Sequence, residues 1–195
     1  RDPRPLEVPG EKDFIGQGVS YCATCDAPLF QGRKTVVVGA GNGGLEAALE
    51  LADNCPQVYI LEFASEPKGD ELLQEKVKEN EKIKLITSAK LLEIKGKEQI
   101  EKITYEDKNT KEKKELEVEG VFVEIGSIPA TSFLNEVVEF NDNDEVKIDP
   151  WTCETSTEGV FAAGDVTNVR DNQIIIAAGE GAKAALSAYR YLKRK

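Results

Sequence analysis

The 195-residue sequence has no histidine, no methionine, a single tryptophan (Trp151) and four cysteines. Without histidine, a four-ligand zinc site has little to draw on, because Cys22 and Cys25 stand together while Cys55 and Cys153 are scattered. Cationic residues are also short: 25 Lys and Arg stand against 36 Asp and Glu, a formal net charge of −11. That balance argues against nucleic acid and anionic membrane surfaces, both of which require basic patches. No apolar run approaches the ~20 residues needed to span a bilayer, and no signal-peptide pattern opens the chain. A cytoplasmic location is expected. The chain starts at Arg1 and lacks methionine, so it is expected to be a piece of something longer.

Hydrophobic residues make up 40% and charged residues 31%, an ordinary balance for a soluble globular protein with one sizeable domain or two small ones. Residues 1–20, rich in Pro, Gly and charge, read as an extended lead-in. From Thr35 the pattern becomes strand, glycine turn, helix and strand: Thr35–Val38, then helical spacing over Leu45–Ala52, then Val58–Leu61. A second helix is predicted over Asp70–Glu79. Short alternating runs at Ile83–Ile86, Leu91–Ile94, Ile100–Tyr105 and Glu115–Val118 predict an antiparallel meander. Val121–Ile125 reads as a buried strand ended by Gly126. A polar loop at Asn141–Asp144 marks a boundary, followed by strands at Val146–Ile148 and Gly159–Ala162. A C-terminal helix is expected at about Ile175–Leu192, closed by Lys193, Arg194 and Lys195 at the carbonyl end of its dipole.

Two motifs carry chemistry. Gly39, Gly41 and Gly44 spell G-x-G-x-x-G between a predicted strand and a predicted helix, with Asn42 at the helix start. The first glycine permits the tight turn, the second admits a pyrophosphate to the backbone, and the third lets helix and strand pack closely. The helix N-terminus then faces the pyrophosphate with free N–H groups. Glu62 ends the second strand, where a carboxylate binds a ribose hydroxyl and repels a 2′-phosphate. Phe63-Ala64-Ser65 supplies no arginine, so NADH is favoured over NADPH. The alternative is a glycine turn that serves strand–helix packing alone. Cys22-Ala23-Thr24-Cys25-Asp26 reads as a redox dithiol, with Asp26 placed to carry a proton. Half a zinc site and an inert pair are the alternatives. Cys55, at a helix end, and Cys153, in a polar loop, are expected to be ordinary thiols.

Further motifs extend the pattern. Together with Cys22–Asp26 and the glycine turn, Gly159-Val160-Phe161-Ala162-Ala163-Gly164-Asp165 and Gln173-Ile174-Ile175-Ile176-Ala177-Ala178-Gly179-Glu180-Gly181 resemble the low-molecular-weight thioredoxin reductase family. This group of class II pyridine nucleotide-disulfide oxidoreductases includes the flavoprotein subunit of alkyl hydroperoxide reductase. The likeness runs from about residue 14 to residue 192, with Cys22–Asp26 closer to thioredoxin reductase, and Leu61-Glu62-Phe63-Ala64 and the late Gln173–Leu192 region closer to the peroxide-reductase subunit.

The resemblance implies an α/β fold: a Rossmann-like nucleotide-binding domain with an antiparallel β-meander, plus the C-terminal part of a second, FAD-type α/β domain. Residues 1–30 would be a lead-in carrying the dithiol, 31–143 the NAD(P)H-binding domain, and 144–195 part of a discontinuous FAD-binding domain. The family's N-terminal FAD half is absent from these residues. Electrons would pass from nicotinamide to FAD, to the Cys22–Cys25 disulfide, and on to a thioredoxin- or peroxiredoxin-type protein disulfide. Cys25 would lie nearer the flavin, Cys22 would attack the partner, and Asp26 would serve as acid–base. Gly164 and Asp165 would contact FAD, with Gln173 and Ile174 near its ring; Gly126 joins the cofactor candidates. The full-length protein would be a homodimer. The rival reading is a non-enzymatic NAD(H)-binding module lacking FAD.

Overall fold

The computed structural model describes residues 1–171 and 173–194; Lys195, expected to help close the last helix, lies outside the described residues. Two compact units result: Pro3–Gly126, and Arg1–Asp2 with Ser127–Lys195. The division falls at Gly126, ahead of the polar Asn141–Asp144 loop. The two-residue strands β1 (Asp2–Pro3) and β10 (Ser127–Ile128) lie where the chain passes from one unit to the other.

The larger unit is built on a five-stranded parallel sheet in the order β2 (Val19–Ser20), β9 (Gly120–Val123), β3 (Lys34–Val38), β4 (Gln57–Leu61), β5 (Ile83–Ile86). The β-branched run Thr35–Val38 sits near the middle of the sheet, and successive side chains enter opposite faces. Val37, Val58, Ile60 and Phe122 face one core, whereas Val36, Val38, Leu61, Val121 and Val123 face another. The first core is completed by helix α1 (Ala23–Asp26), helix α2 (Asn42–Asn54) and helix α3 (Glu71–Glu79), through Ala23, Leu45, Ala48, Leu51 and Val77. Pro56 follows the end of α2 and cannot continue it. The second core is covered by an antiparallel meander of β6 (Ala89–Gly96), β7 (Ile100–Asp107) and β8 (Lys113–Glu117), which buries Leu91, Ile94, Ile100 and Ile103.

Several expectations are corrected here. Ile83–Ile86 is no part of the meander; it pairs in parallel with β4 at the sheet edge, because the α3 crossover returns the chain in the direction of β4. Residues 1–20 are no extended lead-in either. A short 3-10 helix at Lys12–Phe14 and strand β2 are folded onto the unit around Glu11, which is 1% exposed. The backbone N–H groups of Leu6 and Glu7 donate to its two carboxylate oxygens, both at 2.7 Å, and the Tyr21 hydroxyl donates to Oε1 at 2.7 Å. Pro9 accepts a hydrogen bond from Ile94 N–H, tying the segment to β6.

In the smaller unit, helix α4 runs over Ile174–Arg194, longer at both ends than expected. Val146–Ile148 and Gly159–Ala162 form single bridges rather than ladder strands: Val146 meets Phe140 and Thr167, and Phe161 meets Glu154. Gly159, at φ +80°, turns the backbone out of an extended course. Cys153, expected in a polar loop, is buried with Val138, Val146 and Ile148. Burial pushes its thiol up, as it does that of Cys55.

The Glu11 arrangement leaves a pH signature. Burial, then the Glu11 hydrogen bond and charge, push the Tyr21 phenol up to about 12 from its ordinary 10.0. The folded chain keeps this proton where the unfolded chain loses it, so the stabilisation is full below pH 10.0 and falls away towards about 12. Denaturant unfolding across that window is expected to show a steeper loss of stability in the wild type than in Tyr21→Phe. Equal slopes would contradict the coupling.

Candidate functional site

The strand order places β3 between β4, reached through α2, and β9, reached by the chain's return from the meander. Such a reversal opens a crevice beyond the carboxyl ends of the strands. A cavity of about 800 Å³ lies there, and Gly39, Gly41, Glu62 and Gly126 all line it. Leu6–Pro9, Lys68, Lys90 and Glu124 complete much of its wall.

The glycines earn their places by close approach. Gly39 has φ +110°, and a Cβ there would stand 2.2 Å from the Glu124 carbonyl oxygen. A Cβ on Gly44 would stand 2.0 Å from the Gly39 carbonyl oxygen, so Gly44 packs beneath the turn rather than on the cavity wall. Gly41 is the cap of α2 and has open space over its Cβ direction, leaving bare backbone towards the cavity. Asn42 is turned to another task. Its amide donates to Asp70 Oδ2 at 3.0 Å and its Oδ1 accepts from Asp70 N–H at 2.7 Å, joining the start of α2 to the cap of α3.

Glu62 does more than line the cavity. Its Oε2 accepts from Ala40 N–H at 2.7 Å and its Oε1 from Ala64 N–H at 2.8 Å, so one carboxylate clamps the glycine turn to the loop after β4. Glu124, which composition and spacing did not single out, is half-buried at the end of β9, and burial followed by the nearby charge of Glu46 raises its pKa. Bare backbone at Gly39, Gly41 and Gly126 beside a roomy, partly apolar cavity fits a dinucleotide.

The dithiol lies in the same unit. Cys22 caps α1, Cys25 is exposed on it, and the two are joined in a disulfide with Cα atoms 5.3 Å apart. Cys22 Sγ accepts from Cys25 N–H at 3.2 Å, and Thr24 Oγ1 donates to Glu50 of α2 at 3.0 Å. Asp26, half-buried, accepts a 2.6 Å hydrogen bond from the Ser20 hydroxyl. Cys22, Cys25 and Asp26 do not line the glycine-turn cavity.

The remaining candidates belong to the smaller unit. Gly164, at φ +78°, donates its N–H to Glu180 Oε2 at 2.9 Å and lies against Ala177 of α4. The Asp165 carbonyl accepts from Arg1 Nε at 2.7 Å, and Arg1 also pairs with Glu145. Gln173 and Ile174 are exposed where α4 begins, Ile174 at 91%. Gly164 thus packs against the first two turns of α4, at Ala177 and Glu180.

A family model described as pyridine nucleotide-disulphide oxidoreductase matches residues 1–182. The chain belongs to this family. It is 44% identical over 191 residues to the F subunit of alkyl hydroperoxide reductase from Staphylococcus aureus, covering 98% of this chain and 38% of that protein. With the same protein of Pseudomonas putida the identity is 45% over 192 residues, covering 98% and 37%. Among solved structures, thioredoxin reductase of Lactococcus lactis in its FR conformation superposes with a TM-score of 0.92 at 32% identity, over 98% of this chain and 63% of that one. That of T. acidophilum gives 0.88 at 37%, over 96% and 62%. The chain therefore spans under two-fifths of the curated relatives named here and under two-thirds of the solved ones.

Of the carboxylates lining the cavity (Glu7, Glu62 and Glu124), Glu62 and Glu124 are expected to act oppositely. Glu62→Ala orphans the Ala40 N–H and should cost about 1–3 kcal/mol of stability, with NADH affinity falling roughly tenfold in calorimetric titration as the turn loosens. Glu124→Gln removes a poorly solvated charge from the cavity wall, where it would repel the diphosphate of a bound dinucleotide. Its raised pKa means that the native state favours the protonated form, a contribution present at low pH and lost as pH rises through the folded value. At neutral pH the variant should be more stable and bind NADH more tightly. Weaker binding by Glu124→Gln would contradict this assignment.

Proposed function

We propose that this chain is the dithiol- and nicotinamide-bearing portion of an NAD(P)H- and FAD-dependent protein-disulfide reductase. One observation carries the reading: a bonded Cys-x-x-Cys pair and a glycine-lined dinucleotide cavity occur within one compact unit of Pro3–Gly126. On this reading the unit Pro3–Gly126 binds the nicotinamide cofactor and the unit that includes Ser127–Lys195 contributes to the flavin domain, with Gly164, Asp165, Gln173 and Ile174 towards FAD. A bound flavin would supply the two-electron exchange between nicotinamide and disulfide, which a disulfide takes poorly by direct hydride transfer.

The chain's own residues have separable tasks. The backbone at Gly39, Gly41 and Gly126 holds the dinucleotide, and Glu62 orients the turn while facing the ribose. A carboxylate there, with no arginine in Phe63-Ala64-Ser65, favours NADH over NADPH. Cys22 and Cys25 carry the electrons to a partner disulfide, and Asp26 moves the accompanying proton. Cys22 would attack the partner and Cys25 would lie nearer the flavin. The partner is a thioredoxin- or peroxiredoxin-type protein disulfide, in keeping with relatives named as thioredoxin reductase and as the F subunit of alkyl hydroperoxide reductase. A cytoplasmic homodimer is the proposed working form. No helix among the described residues is long and apolar enough to cross a membrane.

A test follows NADH oxidation by the flavin-loaded protein, extended upstream of Arg1, with a protein disulfide as acceptor. Cys22→Ser and Cys25→Ser should each abolish acceptor-dependent oxidation while leaving NADH binding unchanged. Turnover that survives either substitution would overturn the reading. Nucleotide binding without flavin or turnover would favour the binding-module alternative.

A further inference from the structure

Ser20 lies on β2, outside the Cys-x-x-Cys motif, and is 6% exposed. Its hydroxyl donates to Asp26 Oδ2 at 2.6 Å, while the same oxygen accepts the Cys22 N–H at 3.1 Å and lies 3.3 Å from the Cys22 carbonyl oxygen. One hydroxyl has a single proton, and the short contact to a carboxylate is where it goes. Ser20 thus connects the backbone of one redox cysteine to the carboxylate of the acid–base candidate. Both Ser20 and Asp26 open onto a second cavity of about 620 Å³, whose charged lining residues are Asp26, Arg33 and Glu98, with Gln17 and Gln99 beside them. This cavity is distinct in its lining from the dinucleotide cavity and gives Asp26 a route to water.

We propose that Ser20 is a positioning residue of the dithiol centre, holding the Asp26 carboxylate between the Cys22 turn and this water-accessible cavity so that the proton of the attacking thiol leaves through Asp26. The inference rests on the redox reading of Cys22–Cys25. The attacking thiol of the reduced pair gives its proton to Asp26. Its sulfur then bonds to one sulfur of an external disulfide, breaking that S–S bond and releasing a thiolate. The second cysteine attacks the mixed disulfide, restores the Cys22–Cys25 bond and releases the second external thiolate. The pair is oxidised by two electrons and the external disulfide reduced by two; the two protons pass to the released thiolates or to water, one of them through Asp26 and the cavity.

The geometry makes a specific demand on Ser20. A hydrogen in place of the hydroxyl, as in Ser20→Ala, would leave the Asp26 carboxylate without its short partner and free to turn into the cavity. The pairing of β2 with β9, Val19 beside Val121 and Ser20 beside Phe122, is made by backbone and not by the hydroxyl, so a local loss of orientation is the expected result.

The test uses the 195-residue chain reduced with dithiothreitol, freed of excess reductant and mixed rapidly with the aromatic disulfide dithionitrobenzoate. The fast phase belonging to Cys22 and Cys25 is identified by its loss in Cys22→Ser. Ser20→Ala should slow this phase roughly tenfold, the loss of one hydrogen bond to a charged group, and Ser20→Thr should restore most of it. The pH–rate profile of Ser20→Ala should coincide with that of Asp26→Asn, and the double variant should be no slower than Asp26→Asn alone. Ser20→Gly removes the same hydroxyl and serves if circular dichroism shows Ser20→Ala to be unfolded. A fast phase unchanged by loss of the hydroxyl, or additive losses in the double variant, overturns the role of Ser20. Absence of any Cys22-dependent phase in the wild type overturns the dithiol reading instead.

Discussion

At the glycine turn the backbone of β3, β9 and α2 comes together with no room for one more carbon. Carbonyl oxygens of Glu124 and Gly39 stand where the β-carbons of Gly39 and Gly44 would be, at 2.2 and 2.0 Å. This approach lets α2 start directly after the end of β3, with its cap Gly41 on the cavity wall. The Glu62 carboxylate then fixes the turn from the side of β4 by taking the N–H groups of Ala40 and Ala64. Helix direction, cavity shape and sheet order all depend on that contact. Any side chain there would push α2 off the sheet and draw its Leu45, Ala48 and Leu51 away from Val37, Val58, Ile60 and Phe122, with which they form one core.

α2 also supports the dithiol. α1 packs Ala23 into the same core as Ala47, Ala48 and Leu51, and Thr24 bonds Glu50 of α2. The short helix carrying Cys22 and Cys25 is therefore seated on the helix that caps the dinucleotide turn. A rigid support suits a redox pair, since the two sulfurs must find each other again after every cycle.

Much of this is legible in the sequence because it rests on local rules. Gly39, Gly41 and Gly44 between a β-branched run and good helix formers predict the tight strand-to-helix turn that the structure has, and Glu62 ends the next strand as its position along the chain predicts. Cys22 and Cys25 are readable from spacing alone. Contacts between distant segments are harder to see. Glu11 looks like one more charge in a Pro- and Gly-rich stretch, yet its partners include Tyr21 across a folded turn. Ser20 carries no motif, and its bond to Asp26 requires β2 to lie beside α1. The alternation of Ile83–Ile86 suits either sheet, and only the α3 crossover decides for the parallel one. Asn42 reads as a cofactor contact, whereas its amide is engaged with Asp70.

In this scheme the Cys22–Cys25 pair is the terminus of electrons that enter from a nicotinamide cofactor. Anaerobic addition of one equivalent of NADH to the flavin-loaded, oxidised protein, followed by alkylation and peptide mass analysis, addresses that claim directly. The predicted result is stoichiometric label on Cys22 and Cys25, with Cys55 and Cys153 labelled equally before and after NADH. Cys22 and Cys25 remaining unlabelled while NADH is consumed would contradict it.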